Sequence, residues 1–226
     1  MLNRYRWYRV QLPRGAGHLS GLVASHPLTP AAGFGFSSIE DPNSSSIYRF
    51  LWRTKIVATI LDESGAPVYQ EIDSISFTDF SIVSIDGQTF LRVENPGRSI
   101  RELLNALESI IGLGFTSKLV TFEHVRPTTI FEKIKTVRLI GFKVLGVVLD
   151  EDLVARMEFA SKQGMTLAQM KFLEGRPYKV DSATYEMVHE GIRGQLSFLS
   201  NGTVKVSGQL APKLMQLIEK DLPKSV

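Results

Sequence analysis

Polar and apolar positions alternate through the first ten residues, MLNRYRWYRV, which is the period-two pattern of a half-buried strand. From Pro13 to Ser46 that pattern gives way to Gly, Pro, Ser and Asn with few long apolar side chains, and predicts a long loop. Strand character resumes at Ile47 and runs to about Leu61. A turn over 62–67 containing Ser64-Gly65 then sends the chain back into a second strand from Val68. Two further strands flank Asp86-Gly87, a hairpin signal because both residues tolerate positive φ. Ser99-Ile-Arg-Glu102 predicts a capping box for a helix whose stripe is Leu103, Leu104, Leu107, Ile110 and Ile111, with Gly112 as its stop.

Beyond that glycine the order recurs. Thr129 to Glu132 predicts a short helix and Arg138 to Leu149 a buried strand. Asp150-Glu151-Asp152 reads as the cap of a helix with Leu153, Met157 and Ala160 inward and Gly164 closing it. Thr166 and Gln169 form a second capping box, ended by Gly175 and Pro177, and Ser182 to Glu190 reads as another helix. Asn201-Gly202 then sits between strands 195–199 and 203–207, and Pro212 opens a helix with Leu214, Leu217 and Ile218 as its stripe. The expected architecture is α+β: antiparallel sheets with helices packed on one face, in two related halves. A basic N-terminal strand and long loop (1–46) precede a first sheet-plus-helix half (47–115) and a second (116–226).

The segment from Leu196 to Gly208, LSFLSNGTVKVSG, followed by a helix, resembles the repeat ending of the TATA-box-binding protein family. That family has an apolar strand, a Ser-Gly turn, a strand ending Thr-Gly, and then its long helix. Here Gly202 and Gly208 match in spacing, with Asn201 and Ser207 in place of the Ser and Thr. The match covers about 30 residues, mainly 196–220, with a looser one back to strand 138–149. It implies a saddle-like fold. In the family, phenylalanines near these turns wedge into a kinked minor groove and paired asparagines read its floor. Leu199 and Ser84 stand at the wedge positions here, and strand 138–149 contains no Asn, so no DNA-reading residue is carried over.

Charge changes the picture at one end. Up to residue 60, seven basic residues face two acidic ones, leaving +5, whereas nineteen against twenty-one beyond leave −2. The N-terminal quarter therefore makes the sequence pI of about 9.1. With no Cys, the 226 residues exclude disulfides, thiolate zinc sites, iron–sulfur clusters and cysteine nucleophiles, which suits a reducing cytoplasm. No apolar run reaches the ~20 residues of a membrane span, and the basic, aromatic start is unlike a signal peptide.

Catalytic motifs are not found. None of His18, His26, His124 and His189 lie three to five apart, so no metal site is expected. His189, between Glu186 and Glu190, reads as a histidine at a helix C-terminus. Gly15-Ala-Gly17-His-Leu-Ser-Gly21 has one residue too many for a dinucleotide fingerprint, and Glu132-Lys133-Ile134-Lys135 has Ile134 where a nuclease Glu-x-Lys needs lysine. No cofactor is expected.

Binding is what the residues leave. Arg4, Arg6, Trp7, Arg9, Arg49, Trp52 and Arg53 interleave cations with aromatics, a combination suited to phosphate contacts and to stacking on exposed bases. The same residues also suit a protein interface, the arginines a merely solvated strand face, and the tryptophans a core. The expectation is a non-enzymatic, nucleic-acid-associated binding subunit of a larger assembly, with a protein–protein adaptor as the alternative. Its partners would be nucleic acid and a protein or a second copy, not a membrane.

Overall fold

The computed structural model describes residues 2–39, 47–97, 100–122 and 128–224. In chain order the elements are β1 (Leu2–Gln11), α1 (Gly15–Ser25), β2 (Phe34–Ile39), β3 (Ile47–Leu61), β4 (Pro67–Ile85), β5 (Gln88–Glu94) and α2 (Arg101–Ile111). They continue with β6 (Thr116–Leu119), α3 (Thr128–Glu132), β7 (Thr136–Asp150), β8 (Leu153–Met165), β9 (Lys179–His189), β10 (Ile192–Leu199), β11 (Val204–Gly208) and α4 (Ala211–Asp221). The fold is α+β, dominated by open antiparallel sheet with few helices. Two compact units divide it: Val10–Val83 with Leu91–Ser117, and Met1–Arg9 with Ser84–Phe90 and Lys118–Val226.

In the first unit the strands run β2-β3-β4-β5. Tyr48 and Phe50 of β3 point to the same face as Phe80 of β4, and all three are buried with Phe36. Helix α1 lies over this face, where the Ser20 hydroxyl meets the Tyr48 hydroxyl. Gly35 permits the approach of the segment before β2, since a Cβ there would lie 2.1 Å from the Leu28 nitrogen. Leu103, Ala106 and Leu107 bury the inner stripe of α2, and Gly112 at φ 81° ends it as expected. Ser99, the predicted cap, lies outside the described residues.

In the second unit the order is β1-β11-β10-β9-β7-β8, with β6 beside β1. Alternate residues of three adjacent strands are buried: Ala183, Tyr185 and Met187 on β9, Gly194, Leu196 and Phe198 on β10, and Val204 and Val206 on β11. Helix α4 packs on that face through Leu214 and Ile218. It comes so close that a Cβ on Gly194 would lie 2.8 Å from Leu210 and 3.3 Å from Leu214.

Several expected elements take another form. The stretch 13–46 is not all loop, because α1 and β2 form within it. Leu153 to Met165 is a strand rather than a helix. Glu151 and Asp152 make the β7–β8 turn, in which Asp150 Oδ1 accepts the Glu151 N–H at 2.9 Å. Residues 182–190 lie in β9 and its turn, not in a helix. The turn that follows is the two-residue Glu190-Gly191 pair, both at positive φ. At 200–203 only Gly202 is left-handed (φ 75°). Asn201 instead uses its side-chain oxygen to accept the Thr203 N–H at 3.1 Å.

Candidate nucleic-acid interface

On β1 the parity of the strand decides which basic residues share a face. Arg4 and Arg6 point to one side. Trp7 and Arg9 fall on the other, because Arg9 breaks the two-residue spacing. Trp7 is fully buried in the core with its indole N–H unpartnered, so it offers no face to a base. Arg9 is exposed. Arg6 is half-buried and its Nε donates to Thr203 Oγ1 at 2.7 Å. Arg6 also pulls the neighbouring Tyr8 hydroxyl toward ionisation, but burial dominates and leaves that hydroxyl above its ordinary range.

The side of the sheet opposite α4 is polar. Register places Arg4 opposite Lys205, Lys205 opposite Ser197, Ser197 opposite Thr184, and Thr184 opposite Gly141. Thr184 and Ser197 share a hydroxyl hydrogen bond of 2.9 Å, and Gly141 presents no side chain. This row crosses five strands without an acidic residue. The neighbouring row, Ser207, Gln195, Glu186 and Arg138, contains one acid, which is paired with Arg138. A shallow depression of about 500 Å³ lined by Ile140, Ala160, Lys162, Glu186 and Gln195 lies on the same side. Farther along, Lys143 sits 3.6 Å from Glu158 and 3.9 Å from Asp181. The cationic end of this face is therefore at β1 and β11.

Arg4 and Lys205 stand directly opposite one another on β1 and β11. Sequence reasoning missed Lys205. Its only local signal is the alternation Val204-Lys205-Val206, and nothing local announces that the first strand pairs with the last.

Arg49, Trp52 and Arg53 lie in the other unit, on β3, and each is engaged by residues of that unit. Arg49 forks onto Asp79 with Nε–Oδ1 at 2.7 Å and Nη2–Oδ2 at 2.9 Å, and its guanidinium carbon stands 4.2 Å from the Phe77 ring centre. The hydrogen bond to Asp79 raises the Arg49 pKa further above its ordinary value. Arg53 donates to the Ala32 and Thr29 carbonyls, both at 3.2 Å, which clamps the loop before β2. Trp52 is half-buried and stacks on Phe50 at 5.1 Å.

His189 stands at the end of a strand. Its Nε2 accepts from the Lys213 ammonium and lies 3.6 Å from the exposed Glu190 carboxylate. No cluster of metal-ligating side chains and no helix long and apolar enough to cross a membrane occurs among the described residues. The chain matches no protein-family model, no curated protein and no solved structure.

Proposed function

We propose that this protein is a non-enzymatic, nucleic-acid-associated subunit. The open polar face of its second unit contacts the sugar-phosphate backbone. The observation carrying this is the Arg4–Lys205 cross-strand pair beside Arg6, at the head of an acid-free row of Ser197, Thr184 and Gly141. Two adjacent cations raise the local anion affinity, and small hydroxyl side chains behind them let a backbone approach closely while offering hydrogen bonds to it. Only contacts to phosphate and sugar are implied, so binding is indifferent to sequence.

The recurrence of three antiparallel strands followed by a helix, β3-β4-β5-α2 and then β9-β10-β11-α4, supports reading the chain as two related halves. On that reading the open face corresponds to the underside of the TATA-box-binding protein saddle, with a hydroxyl floor in place of wedge and asparagine positions.

Anisotropy titrations of a labelled oligonucleotide across a salt series test this. Arg4→Glu with Lys205→Glu should weaken binding equally for unrelated sequences. The dependence of log K on log salt should flatten by about 0.7 to 0.9 per lost phosphate contact. A wild-type protein that binds neither DNA nor RNA at low salt, yet co-purifies with a protein after nuclease treatment, transfers the assignment to the adaptor reading.

A further inference from the structure

Strand β8 ends the sheet of the second unit and, among the described residues, pairs only with β7. Along its outer edge from 153 to 160 no backbone hydrogen bond reaches it from those residues. That stretch is also regular. The extra residues between Val144 and Asp150 fall on β7, and the irregularity of β8 itself is confined to 161–164. No proline interrupts it, and Leu153 and Val154 at its start are 56% and 63% exposed. A long, regular edge of this kind is a template for another strand.

The core face of the unit runs out onto this strand. Ala155, Met157 and Phe159 stand opposite the buried Val147, Val144 and Phe142 of β7 but are themselves only half-buried, and the exposed Phe172 ring lies 5.3 Å from Phe159. Arg156 and Glu158 occupy the other face and are exposed. The charges are antisymmetric about Met157: Arg156 and Glu158 flank it, and Asp152 and Lys162 stand five residues to either side. An antiparallel two-fold pairing centred on Met157 therefore sets Arg156 opposite Glu158 and brings Asp152 beside Lys162, each twice. The neighbouring registers do the reverse. An axis at Arg156 or at Glu158 sets that residue against its own copy, one at Ala155 sets Glu158 against Asp152, and one at Phe159 brings Arg156 beside Lys162.

We infer that the outer edge of β8 is a self-association site, to which a second copy of this chain adds its own β8, antiparallel, about a two-fold axis at Met157. The charge pattern selects that occupant, because a strand whose charges complement their own reversal is matched by a second copy in one register. In that register Met157 meets Met157 across the axis and Ala155 meets Phe159, so the apolar row that ends half-buried on β8 continues into the second copy. Strand pairing over 153–161 with a single apolar row buries less than a standard interface, so the dimer exchanges with monomer as concentration changes.

Arg156→Glu and Glu158→Arg each create two like-charge oppositions and should raise the dimer Kd at least about tenfold in sedimentation. Mixed in equal amounts, the two variants should form a heterodimer of near wild-type affinity, since each then meets the opposite charge at both positions. Because the chain has no Cys, Met157→Cys reports the axis directly. It should cross-link to its own copy through a short bis-maleimide, whereas Val154→Cys and Ala160→Cys should not, their copies standing about 20 Å apart at ~3.3 Å per residue. The cysteine series keeps the native charges, so it decides the matter even where a reversal unfolds the chain. Arg4→Glu with Lys205→Glu should dimerise normally, so this inference and the nucleic-acid reading fail separately. A wild-type chain monomeric up to about 100 μM, no heterodimer from two folded single variants, or cross-linking at 154 or 160 equal to that at 157 overturns the inference.

Discussion

Trp7 and Arg9 show how two residues apart in sequence and equal in strand parity come to opposite fates. The buried face changes along β1: Trp7 is sealed in the core, but from Tyr8 onward the opposite parity, Tyr8 and Val10, is buried, and Arg9 faces solvent. Trp7→Ala should therefore cost about 3 to 5 kcal/mol in chemical denaturation, the range for emptying a buried aromatic site, whereas Arg9→Ala should stay within about 0.5 kcal/mol. A small loss at Trp7 would mean the indole is not core. A glycine marks another decisive position. Gly202 is left-handed and a Cβ on it would lie 2.6 Å from the Val120 carbonyl oxygen. Gly202→Ala should thus cost more than about 1 kcal/mol, and more than Asn201→Ala, which loses one hydrogen bond worth about 0.5 to 1.5 kcal/mol. The reverse ranking in melting experiments would show that the loop is held by the Asn201 side chain rather than by glycine geometry.

Among the elements, those with their own terminators were legible, as was the β3–β4 hairpin, whereas β8 and α1 were not. Helix α2 announces itself through Leu103, Leu107 and the stop at Gly112, and α4 through Pro212, Leu214 and Ile218. Strand β8 misleads because Leu153, Met157 and Ala160 happen to suit a helical face. Register shifts between Val144 and Val147 and between Val148 and Asp150 interrupt the alternation of its partner β7, although β8 itself alternates, with Ala155, Met157 and Phe159 half-buried against exposed Arg156, Glu158 and Ala160. Helix α1 escapes notice for the opposite reason. Three glycines in GAGHLSGLVAS lower its intrinsic propensity, and only Leu19 and Val23, four apart, are buried to hold it. The turn expected over 62–67 forms at 62–66, where Asp62 Oδ1 accepts from the Ser64 hydroxyl at 2.6 Å, the Ser64 N–H at 2.9 Å and the Ala66 N–H at 2.9 Å. Those bonds, the Ser64 hydroxyl first among them, hold the Asp62 carboxyl below the usual aspartate range. A folded-state pKa below the unfolded one gives a contribution that is present above the unfolded value and lost as pH falls through the folded one. The turn should accordingly open as Asp62 protonates in acid, visible as faster Gly65 amide exchange, and Asp62→Asn should remove that pH dependence. An Asp62 resonance titrating at the unperturbed position would contradict the turn geometry.

For the molecule as a whole, the basic bias of the first 60 residues is a sum over side chains with different employment. Arg4 and Arg6 belong to one unit and its open face, while Arg49, Arg53 and Lys55 belong to the other. There each is matched to a carboxylate or to backbone carbonyls. Net charge by segment was readable from the sequence, but this division was not. It depends on the first strand pairing with β11 some two hundred residues away, and on cross-strand partners such as Asp79 that composition cannot assign. The two groups should consequently separate by experiment. Arg49→Gln and Arg53→Gln remove as much positive charge as Arg4→Gln and Lys205→Gln. They should lower stability, by about 1 kcal/mol at the partly exposed Arg49–Asp79 fork, and leave the salt slope of nucleic-acid binding unchanged. The second pair should flatten that slope. Equal flattening by both pairs would mean that diffuse charge rather than the Arg4–Lys205 geometry drives association, and the open face would lose its claim to be the interface.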